Sequence, residues 1–266
     1  MLETSPLAPA PEHEAKEAER LLFDLVATPS PSGCEGEASR LLAGWMAKRG
    51  FDAYVDESGS AVGIRGDGPR ELVLLGHIDT VPGQLPVRRE GRILYGRGSV
   101  DAKGSLAAFA AAAAMVDPPA GTSLVVIGAT EEESATSRGA RHALGHFQPR
   151  ACLIGEPSGW DRITLAYKGR LLVDWNWEGP LAHSAGPVLS PAEQAVAFWD
   201  AVKEYARECN QGRARAFARL EPSLRAINSA QHGAYGSSSM QLGFRLPPGL
   251  TTEVAVSYTH LTLPTN

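Results

Sequence analysis

The sequence predicts an α/β fold with a mostly parallel sheet and helices on both faces, followed by a smaller α+β unit. Three observations carry that prediction. Short apolar runs recur at Glu71–Leu75, Leu124–Ile127 and Leu153–Ile154, with helix-compatible segments between them, the order that builds a parallel sheet. Within each run the apolar residues are consecutive, as in strands buried on both faces. Beyond Ile163 the pattern changes, and Leu171-Leu172-Val173-Asp174-Trp175-Asn176-Trp177-Glu178 ends in alternation, the mark of a strand with one face in water.

In chain order, Leu21, Leu22, Leu25 and Val26 have helical spacing within a helix from Pro11 to Ala27. The Pro/Ser/Gly loop from Pro29 to Gly33 ends it. A second amphipathic helix runs from about Glu35 to Arg49, followed by strands near Asp52–Val55 and Ala61–Ile64. The Glu71–Leu75 strand leads into Gly76-His77-Ile78-Asp79-Thr80, and a glycine-rich loop, Gly96 to Gly104, precedes an Ala-rich buried helix over Leu106–Met115. The next two strands end at Glu131-Glu132-Glu133 and at Gly155-Glu156-Pro157. A helix over Pro191–Cys209 and a strand around Met240–Arg245 complete the α+β unit. No internal repeat or long linker interrupts the chain.

The chemistry gathers at the strand tips. Residues i and i+2 of a strand share a face, so the His77 ring and the Asp79 carboxylate point into one space. A metal-bound imidazole commonly hands its second N–H to a carboxylate, which fixes its tautomer. A strand that merely ends in a solvated His and Asp is the plainer alternative. Asp101 stands just ahead of the Ala-rich helix, as an N-cap or as a metal ligand. Three adjacent glutamates repel one another unless a cation compensates or the loop is solvated. Ligands of open α/β sheets gather outside the carboxyl ends of strands, where all four clusters lie. One His with several carboxylates describes a site for one or two divalent cations, with a spare carboxylate as general base for hydrolysis.

In their order, these motifs are similar to those of the dinuclear metallohydrolases of the peptidase M20 group. That group includes acetylornithine deacetylase, succinyl-diaminopimelate desuccinylase and glutamate carboxypeptidase. The segments that carry the resemblance begin at Gly76 (Gly-His-Ile-Asp-Thr-Val-Pro-Gly), Gly96 (Gly-Arg-Gly-Ser-Val-Asp-Ala-Lys-Gly), the glutamate run, Gly155 (Gly-Glu-Pro) and Gly179 (Gly-Pro-Leu-Ala-His-Ser-Ala-Gly-Pro). The resemblance implies a zinc-peptidase-like catalytic domain with an inserted α+β dimerisation domain, a homodimer, and two Zn2+ (or Co2+) ions per complete subunit. It makes His77 a ligand of the first metal, Asp101 the bridge, Glu156 a further ligand of the first metal, and Asp79 the partner that orients His77. The family's Asp-Glu-Glu pattern, followed by Gly-Ala, lays onto Glu131-Glu132-Glu133 and Gly139-Ala140. Glu132 then becomes the general base and Glu133 a ligand of the second metal; a slip of one residue would move these roles to Glu131 and Glu132. His183 matches a histidine of the dimerising domain that binds substrate and polarises the scissile carbonyl in the partner's site.

Within the group, Leu85-Pro86-Val87-Arg88, Ser99–Gly104 and Ala135–Gly139 are most similar to the carrier-protein hydrolases of lysine and arginine biosynthesis. Those enzymes free lysine or ornithine from the C-terminal glutamate of an acidic amino-group carrier protein. The sibling deacylases are the alternative, and a non-catalytic metal-binding dimerisation module is the alternative of another class. A complete member would run roughly another hundred residues, finishing the small domain and supplying a late histidine to the second metal. The resemblance therefore divides the chain into part of a catalytic domain, 1–162, and an incomplete dimerisation domain, 163–254. It also implies that the chain alone is inactive. Residues 255–266 read as a non-native tail, because Ser257–Asn266 resembles adapter read-through, and His260 is not recruited as a ligand.

The remaining features bound the function. A chain of 266 residues with 43% hydrophobic content can bury one substantial core and a smaller second one. Its net charge of -5 argues against general nucleic-acid binding. No stretch is apolar enough to cross a membrane, and Met1–Glu14 lacks a signal pattern, so a cytoplasmic location is expected. Cys34, Cys152 and Cys209 suggest neither a disulfide framework nor a cysteine zinc site. His142 and His146 have ligand spacing, but Ala143 stands where a helical metalloprotease site carries its glutamate. Arg213, Arg215 and Arg219 read as a solvated basic patch.

Overall fold

Two helices open the chain: α1 (Glu12–Ala27), with Glu12 and Glu14 favourably placed against its N-terminal dipole, and α2 (Gly36–Ala47). The computed structural model of the chain describes residues 11–159, 161–181 and 188–252, and it divides into two units, Met1–Arg162 and Ile163–Asn266. The first unit carries β1 (Asp52–Val55), β2 (Ala61–Arg65), β3 (Arg70–His77), the small hairpin β4 (Arg88–Glu90) and β5 (Ile93–Tyr95), α3 (Lys103–Ala114), β6 (Thr122–Ala129), α4 (Arg138–His146) and β7 (Ala151–Ile154). Its five-stranded sheet has the order β1-β2-β6-β3-β7.

β3 pairs in parallel with both β6 and β7, while β2 is antiparallel to both of its neighbours. Four strands therefore run one way and β2 opposes them. The reversal is local: five residues between β1 and β2 cannot make a parallel crossover. They form a turn in which the Asp56 carboxylate accepts from the Ser58 and Ser60 amides at 2.8 and 2.9 Å.

Helices cover both faces of the sheet. Leu74, Leu124 and Val126 pack against Leu21 and Leu25 of α1, Leu42 and Met46 of α2, and Leu106 and Ala110 of α3. Val73, Val125, Ile127 and Ala129 turn the other way, toward Ala143 of α4 and Phe147. Glycine lets α3 lie close against the sheet, since a Cβ on Gly76 would lie 3.2 Å from Leu106 Cβ, tighter than ordinary contact. Parallel register sets His77 beside Ala129 and Leu75 beside Ile154. β3 and β6 thus end level and β7 ends two residues short of them, and the segments that follow emerge side by side.

The second unit has a three-stranded antiparallel sheet, β8 (Gly169–Pro180), β10 (Tyr235–Leu246) and β9 (Glu221–His232) in that order, and helix α5 (Pro191–Cys209). Ser190 and Glu193 form a reciprocal capping box at the start of α5. Phe198 and Val202 pack on Met240, Leu242 and Phe244, and Trp175 stacks on Phe198 at 4.9 Å between centroids. The sequence signals missed β9, β4, β5 and α4: β9 is largely exposed and lacks apolar alternation, β4 and α4 are short and polar, and β5, though apolar, is only three residues long. Arg213, Arg215 and Arg219 are exposed, as read from sequence. Among the described residues, no helix is long and apolar enough to cross a membrane.

Candidate metal centre

His77, the last residue of β3, is 2% exposed. The backbone holds the strand tips together just beyond it: the Ile78 amide donates to Ala129 O and the Gly155 amide to Leu75 O, both at 2.8 Å. His77 Nδ1 lies 2.9 Å from the Asp79 main-chain oxygen and 3.4 Å from Asp79 Oδ1, so its N–H donates first to the backbone. That fixes the ring and leaves Nε2 facing Asp101 Oδ1 at 3.1 Å. Asp101 is not an N-cap, because α3 starts at Lys103 with no side-chain capping bond. Its carboxylate belongs to the His77 cluster.

The fully buried Asp79 carboxylate also organises the glutamate run. Oδ1 accepts the Glu132 amide and Oδ2 the Glu133 amide, each at 3.0 Å, and Oδ2 takes the Ser32 hydroxyl at 2.6 Å. Glu35, also buried, accepts the amides of Gly33 at 2.9 Å and Glu131 at 3.1 Å. Glu131 sits at φ +57°, a conformation costly for a side-chain-bearing residue. Its carboxylate turns away to the Thr136 hydroxyl and to Arg138, 3.7 Å distant. The three glutamates thus separate, with Glu131 paired and Glu132 and Glu133 left within electrostatic reach of Asp101 and Glu156. Ser32 and Glu35 escaped the sequence reading, which took their segment as a helix terminator and the start of α2; no local signal marks their role.

The electrostatics are those of carboxylates crowded around one imidazole. Burial pushes the His77 pKa down, but bonds to Asp79 and Asp101 and the charge of Glu156 prevail and raise it to about 9. Burial and the surrounding carboxylates raise Glu133 and Glu156 above the usual range, against the pull of His77. Asp79 moves the other way: burial raises it, yet His77, Ser32 and the two glutamate amides together hold it low. The ligand atoms of His77, Asp101 and Glu156 all lie within 4.8 Å of one another. One imidazole nitrogen with carboxylate oxygens is a donor set that suits zinc and other borderline divalent ions, so the residues fit a metal.

The pattern of peptidase family M20/M25/M40 matches residues 73–241, a span that begins within β3 and takes in the whole cluster. The chain belongs to peptidase family M20/M25/M40. It is 45% identical over 246 residues to the [LysW]-lysine hydrolase of Deinococcus radiodurans, a match that covers 90% of this chain and 68% of that protein. To a putative [LysW]-lysine/[LysW]-ornithine hydrolase of Thermococcus kodakarensis it is 36% identical, across 88% of this chain and 64% of the relative. The chain thus spans about two thirds of the length of these two relatives. Among solved M20 structures, a metallo-carboxypeptidase, Sso-CP2, from Sulfolobus solfataricus superposes with a TM-score of 0.66 at 16% identity, over 92% of this chain and 74% of that one. The YXEP protein of Bacillus subtilis, a dinuclear metal-binding peptidase of the same family, gives a TM-score of 0.60 at 13% identity, over 93% and 68%. These likenesses support the M20 fold, with its mostly parallel sheet and flanking helices. His183, His260 and residues 255–266 lie outside the described residues.

Proposed function

We propose that the chain is the larger part of a metal-dependent amidohydrolase that releases lysine or ornithine from the C-terminal glutamate of an amino-group carrier protein. The observation that carries this reading is the convergence of His77 and Glu156, at the ends of the neighbouring strands β3 and β7, with Asp101 of the turn ahead of α3, in a chain 45% identical to a [LysW]-lysine hydrolase. His77, Asp101 and Glu156 would hold one divalent cation, zinc or cobalt, and Asp101 and Glu133 would contribute to a second, completed by a later histidine. Such ions supply Lewis acidity toward the amide carbonyl and toward a water molecule. Glu132 takes the proton of that water and delivers it to the leaving amine. The turning away of Glu131 supports this register over its one-residue alternative.

Residues 1–162 are the catalytic part, and 163–254 belong to a dimerising domain whose His183 reaches the partner's substrate. The protein works in the cytoplasm as a homodimer. The test extends the chain to the full length of its D. radiodurans relative and compares it with its Glu132→Gln variant on aminoacylated carrier protein. The variant is expected to keep its metal and lose turnover by about 100-fold or more. Loss of metal with turnover per bound metal unchanged would remove Glu132 from its role. Release of acetate from N-acetylornithine, with none of lysine or ornithine from carrier, would move the enzyme to the deacylases.

A further inference from the structure

Lys103 is among the largest fully buried side chains, at 1% exposure, and forms no ion pair among the described residues. Its ammonium donates to the main-chain oxygens of Leu25 and Thr28, both at 2.8 Å, at the C-terminal end of α1. α1 has no basic residue in its own last turn, so this charge from another helix meets the negative end of its dipole. The Lys103 amide donates to Gly98 O at 3.0 Å, and the lysine stem runs under Gly98, whose φ of +81° lets the loop fold over it. Asp101 lies in the turn between them.

The segment gripped by Lys103 also positions the end of β3. Ser30 Oγ donates to Ile78 O at 2.7 Å, the Thr80 amide donates to Ser30 O at 2.9 Å, and Ser32 Oγ reaches Asp79. His77 and Asp101, on separate elements, are thereby both referenced to Leu25–Ser32. We propose that Lys103 is the positioning residue that sets the Asp101 carboxylate against His77, by binding the Gly98–Ala102 turn to the end of α1. The inference rests on the reading of His77, Asp101 and Glu156 as metal ligands. Apolar packing alone would hold this turn less specifically, because a buried ammonium needs its acceptors at fixed positions.

The test is a Co2+ titration of the full chain, followed by equilibrium dialysis and visible absorbance, for the native sequence and for Lys103→Met, Gly98→Ala, His77→Ala and Leu21→Ala. Lys103→Met is expected to weaken Co2+ binding about 10- to 100-fold and to change the visible spectrum. Leu21→Ala, a core change in α1, should lower the melting temperature and leave Co2+ affinity unchanged. Native affinity in a folded Lys103→Met, or equal weakening in Leu21→Ala, overturns the proposal. If Lys103→Met does not fold, Gly98→Ala decides: its Cβ would meet Thr80 Cγ2 at 2.8 Å and Lys103 Cδ at 3.1 Å, moving the turn with the ammonium retained. Native binding by that variant overturns the proposal as well. Identical binding by the native chain and His77→Ala overturns the metal reading and this inference together.

Discussion

Asp79 gathers more of the site than its place beside His77 suggests. Its carboxylate fastens the Glu132 and Glu133 amides while its main-chain oxygen fixes the His77 ring. Asp79→Asn keeps the shape but turns an NH2 toward one of those amides, leaving buried donors face to face. We expect a loss of about 1–3 kcal/mol in urea denaturation, with weaker metal binding; unchanged stability would mean that the amides find other acceptors. His77 makes the metal-free chain sensitive to alkali. Its folded pKa of about 9 lies above the ordinary 6.5, so the folded state binds the proton more tightly. The stabilisation is complete below the unfolded value and is lost as pH rises through the folded one. The urea midpoint of chelator-treated protein should therefore fall between pH 6.5 and about 9, and His77→Gln should flatten that slope. A slope untouched by the substitution would assign the effect elsewhere.

At the scale of elements, the site depends on β6, α4 and the loop between them. Gly139, in the first turn of α4, donates its amide to Thr130 O at 3.0 Å and packs directly against the backbone at Ala129 and Thr130. A Cβ there would press on backbone atoms that cannot yield without moving the start of the glutamate loop. Gly139→Ala is expected to cost about 1–3 kcal/mol in thermal unfolding and to reduce metal affinity with it. A stable variant with native affinity would show that the loop's placement does not depend on α4. The pairing of Gly139 with the glutamate run was legible as a family motif. Its physical reason, a helix start seated on the end of β6, appears only once α4 is folded against the sheet.

For the whole molecule, Asp161–Tyr167 form neither helix nor strand, are exposed, and span the boundary between the two units. Limited trypsin treatment should cut first at Arg162, whose side chain is 78% exposed, and leave both units resistant. Early cleavage inside either unit would contradict the division. Much of this architecture was legible beforehand, because buried strands announce themselves as consecutive apolar residues and helices through their spacing. Strand tips in a parallel sheet converge by topology, so His77, the glutamate run and Glu156 could be grouped from sequence, and Asp101 joins them from the turn ahead of α3. The sequence could not show which of the three glutamates turns away, or that Ser32, Glu35 and Lys103 hold the site in place. Those contacts join polar residues 47, 96 and 75 positions apart. No periodicity relates such partners, and their bonds exist only where helix ends, loops and strand tips are brought to hydrogen-bonding distance by the packed core.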